Sequence, residues 1–206
     1  MNRKLHSEFL ETSLGISAQF HAAISECGVL PQQRPTDQPL TTMMCRTIAG
    51  QQLSVQAART IWARVLTDSG TKPFAKYLTS ASPSQLQTCG LSRSKARAMK
   101  EIATAASLGR LEAKELATFT HRERSQHLME IWGVGQWTAD MIGIFYFSDQ
   151  DVWPESDITV TKTLQRLIGY RRKTRIAADR FAPQRSLLAR YMWKIADATP
   201  SNYQAP

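Results

Sequence analysis

Two glycines enclose a single valine at Gly133-Val134-Gly135, with the amphipathic stretch RSQHLMEI before them and the apolar run QWTADMIGIFYF after them. Glycine reaches positive φ without steric cost and carries no side chain, so successive backbone N–H groups there can face outward beside the positive end of a following helix. Such a nest of donors suits a phosphate oxygen. A tight turn with a glycine cap fits the same three residues, so the motif alone leaves both readings open. Farther along, SDQDVWPESD supplies four carboxylates, Asp149, Asp151, Glu155 and Asp157. A carboxylate can stabilise developing positive charge or orient and deprotonate water. Asp157, just ahead of ITV, is equally a candidate N-cap.

Charge points to a polyanion. The net charge is +9, and from Ile158 onward the chain carries Lys162, Arg166, Arg171, Arg172, Lys173, Arg175, Arg180, Arg185, Arg190 and Lys194 against Asp179 and Asp197 only. A second group, Arg93, Lys95, Arg97 and Lys100, lies in LSRSKARAMK. Patches of this kind attract nucleic acid and hold it by counterion release, although a solvated face reads the same way. Cys27, Cys45 and Cys89 are odd in number and far apart, so they form neither a disulfide framework nor a side-chain metal site, and a reducing compartment is expected. No stretch approaches the roughly 20 apolar residues that span a bilayer, and the start lacks a secretory core. A soluble, intracellular protein without membrane contact is therefore expected.

The elements that must position these groups read as helices throughout. At 206 residues and 42% hydrophobic content a sizeable core is affordable. Apolar periodicity predicts helices over 7–27, 41–69, 83–88, 92–108, 120–131, 136–147, 157–168, 174–181 and 183–198, with Ser92 as a cap and Pro183 as a helix-starting proline. Pro31 to Pro39, PQQRPTDQP, is a non-helical linker, because proline lacks a donor and restricts its neighbour. The end SNYQAP is polar. Helices on both sides of the glycines make the 132–135 connection a helix-hairpin-helix.

IWGVGQWTA followed by the carboxylate of WPESD, together with AGQQLS at 49–54, GLSRSKA at 90–96 and the proline-rich approach to the last helix with Arg185, resembles the helix-hairpin-helix (HhH-GPD) DNA glycosylases of base-excision repair. Within them it is most similar to the 3-methyladenine glycosylase II type, and the likeness runs from about Thr41 to Ala198. The resemblance implies an all-α, two-lobed fold with the active-site cleft between lobes: residues 38–147 as a central helical lobe ending in the hairpin, and 1–37 plus 148–206 as a second lobe. It implies a monofunctional glycosylase that flips alkylated purines such as 3-methyladenine and 7-methylguanine from damaged double-stranded DNA and hydrolyses the glycosidic bond, leaving an abasic site. No cofactor is implied, and a monomer is expected.

By the same resemblance Asp157 is the catalytic carboxylate, with Glu155 as its nearest rival. Gly133, Val134, Gly135 and Thr138 would grip backbone phosphate. The turn Gly50-Gln51-Gln52-Leu53 would contact DNA, with Gln52 or Leu53 filling the gap left by the flipped base, although Leu53 also reads as core. Lys162 and Arg166 would steer phosphates. Trp137 would wall the base pocket, since a cationic alkylated purine stacks well on an electron-rich ring, and Met141, Trp132 and Tyr146 are further pocket candidates that read equally as core. Trp193 reads as core. The family often holds an alkali ion at the hairpin, here through the backbone of Trp132 and Val134. Bifunctional relatives carry a Schiff-base lysine where this chain has Trp137, so strand-nicking lyase activity is not expected. Two alternatives remain: a non-catalytic helix-hairpin-helix DNA-binding protein, and a same-fold glycosylase for another base such as ethenoadenine or hypoxanthine.

Overall fold

The computed structural model describes residues 3–31, 33 and 36–198. Its helices, in chain order, are α1 Arg3–Leu14, α2 Ala18–Cys27, α3 Leu40–Gly50, α4 Val55–Ser69, α5 Phe74–Ser80, α6 Pro83–Thr88, α7 Arg93–Ser107, α8 Ala113–Leu116, α9 His121–Met129, α10 Gln136–Phe145, α11 Ile158–Ile168, α12 Thr174–Asp179 and α13 Arg185–Ala198. No strand occurs among the described residues, in keeping with the all-helical expectation. No helix among them is long and apolar enough to cross a membrane. The chain divides into two compact units, one formed by Met1–Arg34 with Ser148–Pro206 and the other by Pro35–Phe147.

In the 35–147 unit, α3 and α7 pack together, and α10 packs on α3 and α9. Met44 and Ile48 of α3, Leu78 of α5, and Met99 and Ile102 of α7 are fully buried there. The other unit packs α1 and α2 with α11 and α13. Its centre is aromatic, with Phe9 and Phe20 at 4.9 and 5.6 Å from the ring of Phe181. Tyr191 completes this cluster and bonds outward, its hydroxyl donating to the Gly28 carbonyl at 3.0 Å. Trp193 packs at the edge of the same core.

Two long predicted helices are each broken by a serine cap. The 7–27 stretch is α1 and α2, because the Ser17 hydroxyl accepts from the Phe20 N–H and donates to the Leu167 carbonyl at 2.6 Å. The 41–69 stretch is α3 and α4, because Ser54 caps α4 by accepting from the Ala57 N–H. A cap of this type satisfies orphan amides that continuous periodicity hides. Between the broken halves of the second stretch stands Gln52 with φ 55, a left-handed conformation that a side chain rarely adopts. At the far end, α13 begins at Arg185 and not at Pro183. The short helices α5 and α8 were not expected. The 31–39 segment is non-helical where described, while its Gln32, Arg34 and Pro35, like the polar end 201–206, lie outside the described residues.

Candidate functional site

The glycine hairpin is a turn pressed against α7. Val134 N–H closes it onto the Ile131 carbonyl at 3.0 Å, and the Val134 side chain is buried. Gly133 has φ 86, and a Cβ there would come within 2.5 Å of the Ala98 Cβ. Both its conformation and its closeness to the neighbouring helix therefore demand glycine. Gly135 differs from the expectation of a second positive φ: its φ is −106, and nothing stands within 4 Å of where its Cβ would be. What its missing side chain provides is open access to the amino end of α10, which no side chain caps. An uncapped helix start beside a bare glycine is a site for an anion. Gly133 also separates the Trp132 and Val134 carbonyls, hard oxygen donors of the kind an alkali cation takes. Among the described residues no cluster of His, Cys, Asp and Glu could hold a metal.

Thr138, expected to face phosphate, is fully buried, and its hydroxyl accepts from the Gln51 side-chain amide at 2.9 Å. That bond also occupies Gln51. What remains exposed on the 50–53 turn is Gln52 and Leu53, the latter 40% accessible, so Leu53 is not a core residue.

The lysines of the 93–100 cluster face the protein. Lys95 Nζ donates to the carbonyls of Ala49 and Gln51 at 3.0 and 2.7 Å. Lys100 Nζ donates to those of Leu78, Thr79 and Ala81. Each closes the carboxyl end of a helix, where unpaired carbonyls attract a cation. Arg97 lies over the Trp132 ring with its guanidinium carbon 4.0 Å from the centroid, so that face of Trp132 is already occupied. Met141 is buried, and Tyr146 packs on the core beside Phe147 at 4.9 Å. Trp137 is partly exposed on the first turn of α10.

The four carboxylates of 149–157 separate cleanly by surroundings. Glu155 is exposed and stands 3.6 Å from Arg175. Asp151 forms a two-point pair with Arg185, Nε to Oδ1 at 2.7 Å and Nη2 to Oδ2 at 2.9 Å, while Asp179 takes Arg185 Nη1 at 2.8 Å. Ser186 adds N–H to the Gln150 carbonyl and receives the Val152 N–H on its hydroxyl. These contacts dock the 150–152 segment on the start of α13 and set the direction from which Trp153-Pro154-Glu155 leads to Asp157. Asp149 is half-buried. Asp157 alone of the four is buried, 8% exposed, and its Oδ1 accepts the Val160 N–H at 2.9 Å as the N-cap of α11. On α11, Ile158, Lys162 and Arg166 fall at helical spacing along one side, with Ile158 67% exposed, while Val160, Leu164 and Leu167 are buried.

The Arg185 hydrogen bonds hold the Asp151 carboxyl below its ordinary value of 3.8. A depressed carboxylate contributes stability that is complete above its unfolded pKa and disappears as pH falls through the folded value. Arg185→Met is thus expected to lower Tm at neutral pH by an amount worth about 1 kcal/mol or less after solvent screening. The gap to wild type should close below about pH 3.8, which thermal melts at pH 7 and pH 3 would check. A gap that is the same at both would mean the pair contributes nothing through charge.

The turn at 50–53, the hairpin and the capped carboxylate all fall inside one family match: the sequence model described as HhH-GPD superfamily base excision DNA repair protein covers residues 45–183. The chain belongs to this superfamily. Among its relatives is DNA-3-methyladenine glycosylase 1 of Schizosaccharomyces pombe, 30% identical over 76% of this chain and 73% of that protein. The S. pombe 3-methyladenine DNA glycosylase solved in complex with abasic DNA shares the fold with a TM-score of 0.82 at 22% identity, over 98% of this chain and all of that one. A DNA-3-methyladenine glycosidase from Bacillus halodurans has a TM-score of 0.72 at 25% identity, with 92% and 89% covered. For this HhH-GPD member, sequence reasoning missed the two braces, Lys95 under the 50–53 turn and Asp151 under Arg185. Lys95 had a signal in its place on the buried side of α7, one residue from Ala96; Asp151 had none, since its partner is 34 residues away.

Proposed function

We propose that this protein is a monofunctional DNA glycosylase that releases alkylated purines from duplex DNA and leaves an abasic site. The observation that carries the reading is Asp157, a buried carboxylate held at a helix start in a chain that also has the glycine hairpin, while its three neighbours are more exposed. The relative named DNA-3-methyladenine glycosylase 1 supports the substrate class. The uncapped start of α10 binds a backbone phosphate. The Trp132 and Val134 carbonyls would hold an alkali cation, which would lend positive charge to that grip. Leu53, with Gln52, enters the stack as the damaged nucleotide leaves it, at a cost of a few kcal/mol that a weakened pair reduces. The cationic base stacks on Trp137. Asp157 stabilises the oxocarbenium-like sugar as the glycosidic bond breaks, and water attacks the anomeric carbon. With Trp137 where a lyase has its amine, no covalent intermediate forms. Lys162 and Arg166 add phosphate contacts that position without reading sequence.

Incubation with methylated duplex DNA should release 3-methyladenine or 7-methylguanine as free bases, identified by chromatography, and leave the strand un-nicked until alkali is added. Tight binding with no base released would favour a purely DNA-binding protein; release of ethenoadenine or hypoxanthine alone would move the substrate to an uncharged base. Affinity for undamaged duplex should also fall by at least about tenfold between 50 and 200 mM salt, since several phosphate contacts release counterions. A salt-independent affinity would exclude the phosphate grip.

A further inference from the structure

Lys95 lies on α7, yet it bonds the end of α3 and the turn that follows it. Its ammonium bridges the carbonyls of Ala49 and Gln51 at 3.0 and 2.7 Å, one on each side of Gly50. Partial burial lowers its pKa, as expected of a cation kept out of bulk water. From the other side, the Gln51 side chain is tied to the buried Thr138 of α10 at 2.9 Å. The next residue, Gln52, has φ 55, and Leu53 beyond it is 40% exposed. A residue with a side chain in the left-handed region stores backbone strain, which persists only where the surroundings over-determine the backbone. Capping α3 alone would need neither the strained glutamine nor the exposed leucine.

We infer that Lys95 is a positioning residue for base extrusion, holding the Gly50–Leu53 turn stiff so that Leu53 can displace a base from the helical stack. The inference rests on the glycosylase reading above. A side chain that enters stacked DNA must not recoil, and misplacement by about 1 Å can cost on the order of a hundredfold in rate. Two charge-assisted bonds on one side and the Gln51–Thr138 bond on the other provide that stiffness. Lys95 touches no reacting atom in this scheme, so its effect must vanish when the base needs no extrusion.

The test compares single-turnover release of 7-methylguanine placed opposite cytosine with release of the same base placed opposite an abasic-site analogue, where pairing no longer holds it. Lys95→Met is expected to slow the paired substrate by about tenfold or more, to stay within about threefold of wild type on the unpaired one, and to unfold cooperatively. Thr138→Val, which cuts the tie from the α10 side, should show the same split to a smaller degree and serves if Lys95→Met does not fold. An equal loss on both substrates, or no loss on either, in a folded variant would make Lys95 a helix cap and nothing more. Wild type inactive on both substrates would instead overturn the glycosylase reading on which the inference rests, so the two failures are told apart by the wild-type arm.

Discussion

Asp157→Asn is expected to slow base release by at least about a hundredfold while leaving the fold and the affinity for DNA in place. This substitution separates the capping role seen in the structure from the proposed catalytic one. As an N-cap, Asp157 offers Oδ1 to the Val160 N–H at 2.9 Å. The amide oxygen of asparagine does this nearly as well, so stability should move by less than about 1 kcal/mol. In the catalytic role proposed for it, Asp157 would offer negative charge to a sugar that turns positive in the transition state, and asparagine has none to offer. Glu155→Gln provides the contrast, because Glu155 is exposed beside Arg175 at 3.6 Å and should leave turnover unchanged. Base release under single-turnover conditions, paired with binding to duplex containing an abasic-site analogue, reads both quantities. Full turnover by Asp157→Asn would remove the carboxylate from the mechanism, and lost turnover in Glu155→Gln with Asp157→Asn unaffected would transfer the role to its neighbour.

Gly133→Ala should destabilise the fold by about 2–5 kcal/mol and weaken binding to every DNA sequence alike. Two costs add here. A non-glycine residue at φ 86 pays about 1–2 kcal/mol of backbone strain. The new Cβ would stand 2.5 Å from the Ala98 Cβ, forcing α7 and the hairpin apart at an overpacking cost of about 1–3 kcal/mol. Ala98→Gly added to Gly133→Ala should recover the second part and not the first, which denaturant unfolding of the four proteins in the cycle can measure. Gly135→Ala is the control for space, since its φ of −106 suits alanine and nothing lies within 4 Å of the added carbon. It should fold normally. A Gly133→Ala protein as stable as wild type would show that the hairpin yields freely, and so is too soft to serve as a preorganised phosphate site.

Most helices were legible because their apolar positions recur at the helical period and caps are short-range: Ser92 lies within one turn of the amide it satisfies at the start of α7. Ser17 and Ser54 acted by the same chemistry but inside continuous apolar patterns, so the breaks at 15–17 and 51–54 were hidden. Gly133 was legible as a residue that needed positive φ, while the reason for its lack of a side chain, the approach of Ala98, was not.

The glycine hairpin, the positive charge, the carboxylate ahead of α11 and the helical class follow from the sequence alone, because each rests on residue type and spacing within a few turns. Tertiary structure decided which cations are spent on carbonyls, which carboxylate is buried, and which side chains of the 50–53 turn stay exposed. Lys95 and Ala49, Gln51 and Thr138, and Asp151 and Arg185 meet at 46, 87 and 34 residues apart, distances over which no local periodicity carries information. Burial and partnership are properties of the packed chain, and they turn a list of charged residues into one buried acid among the four of 149–157, two helix-capping lysines and a braced turn.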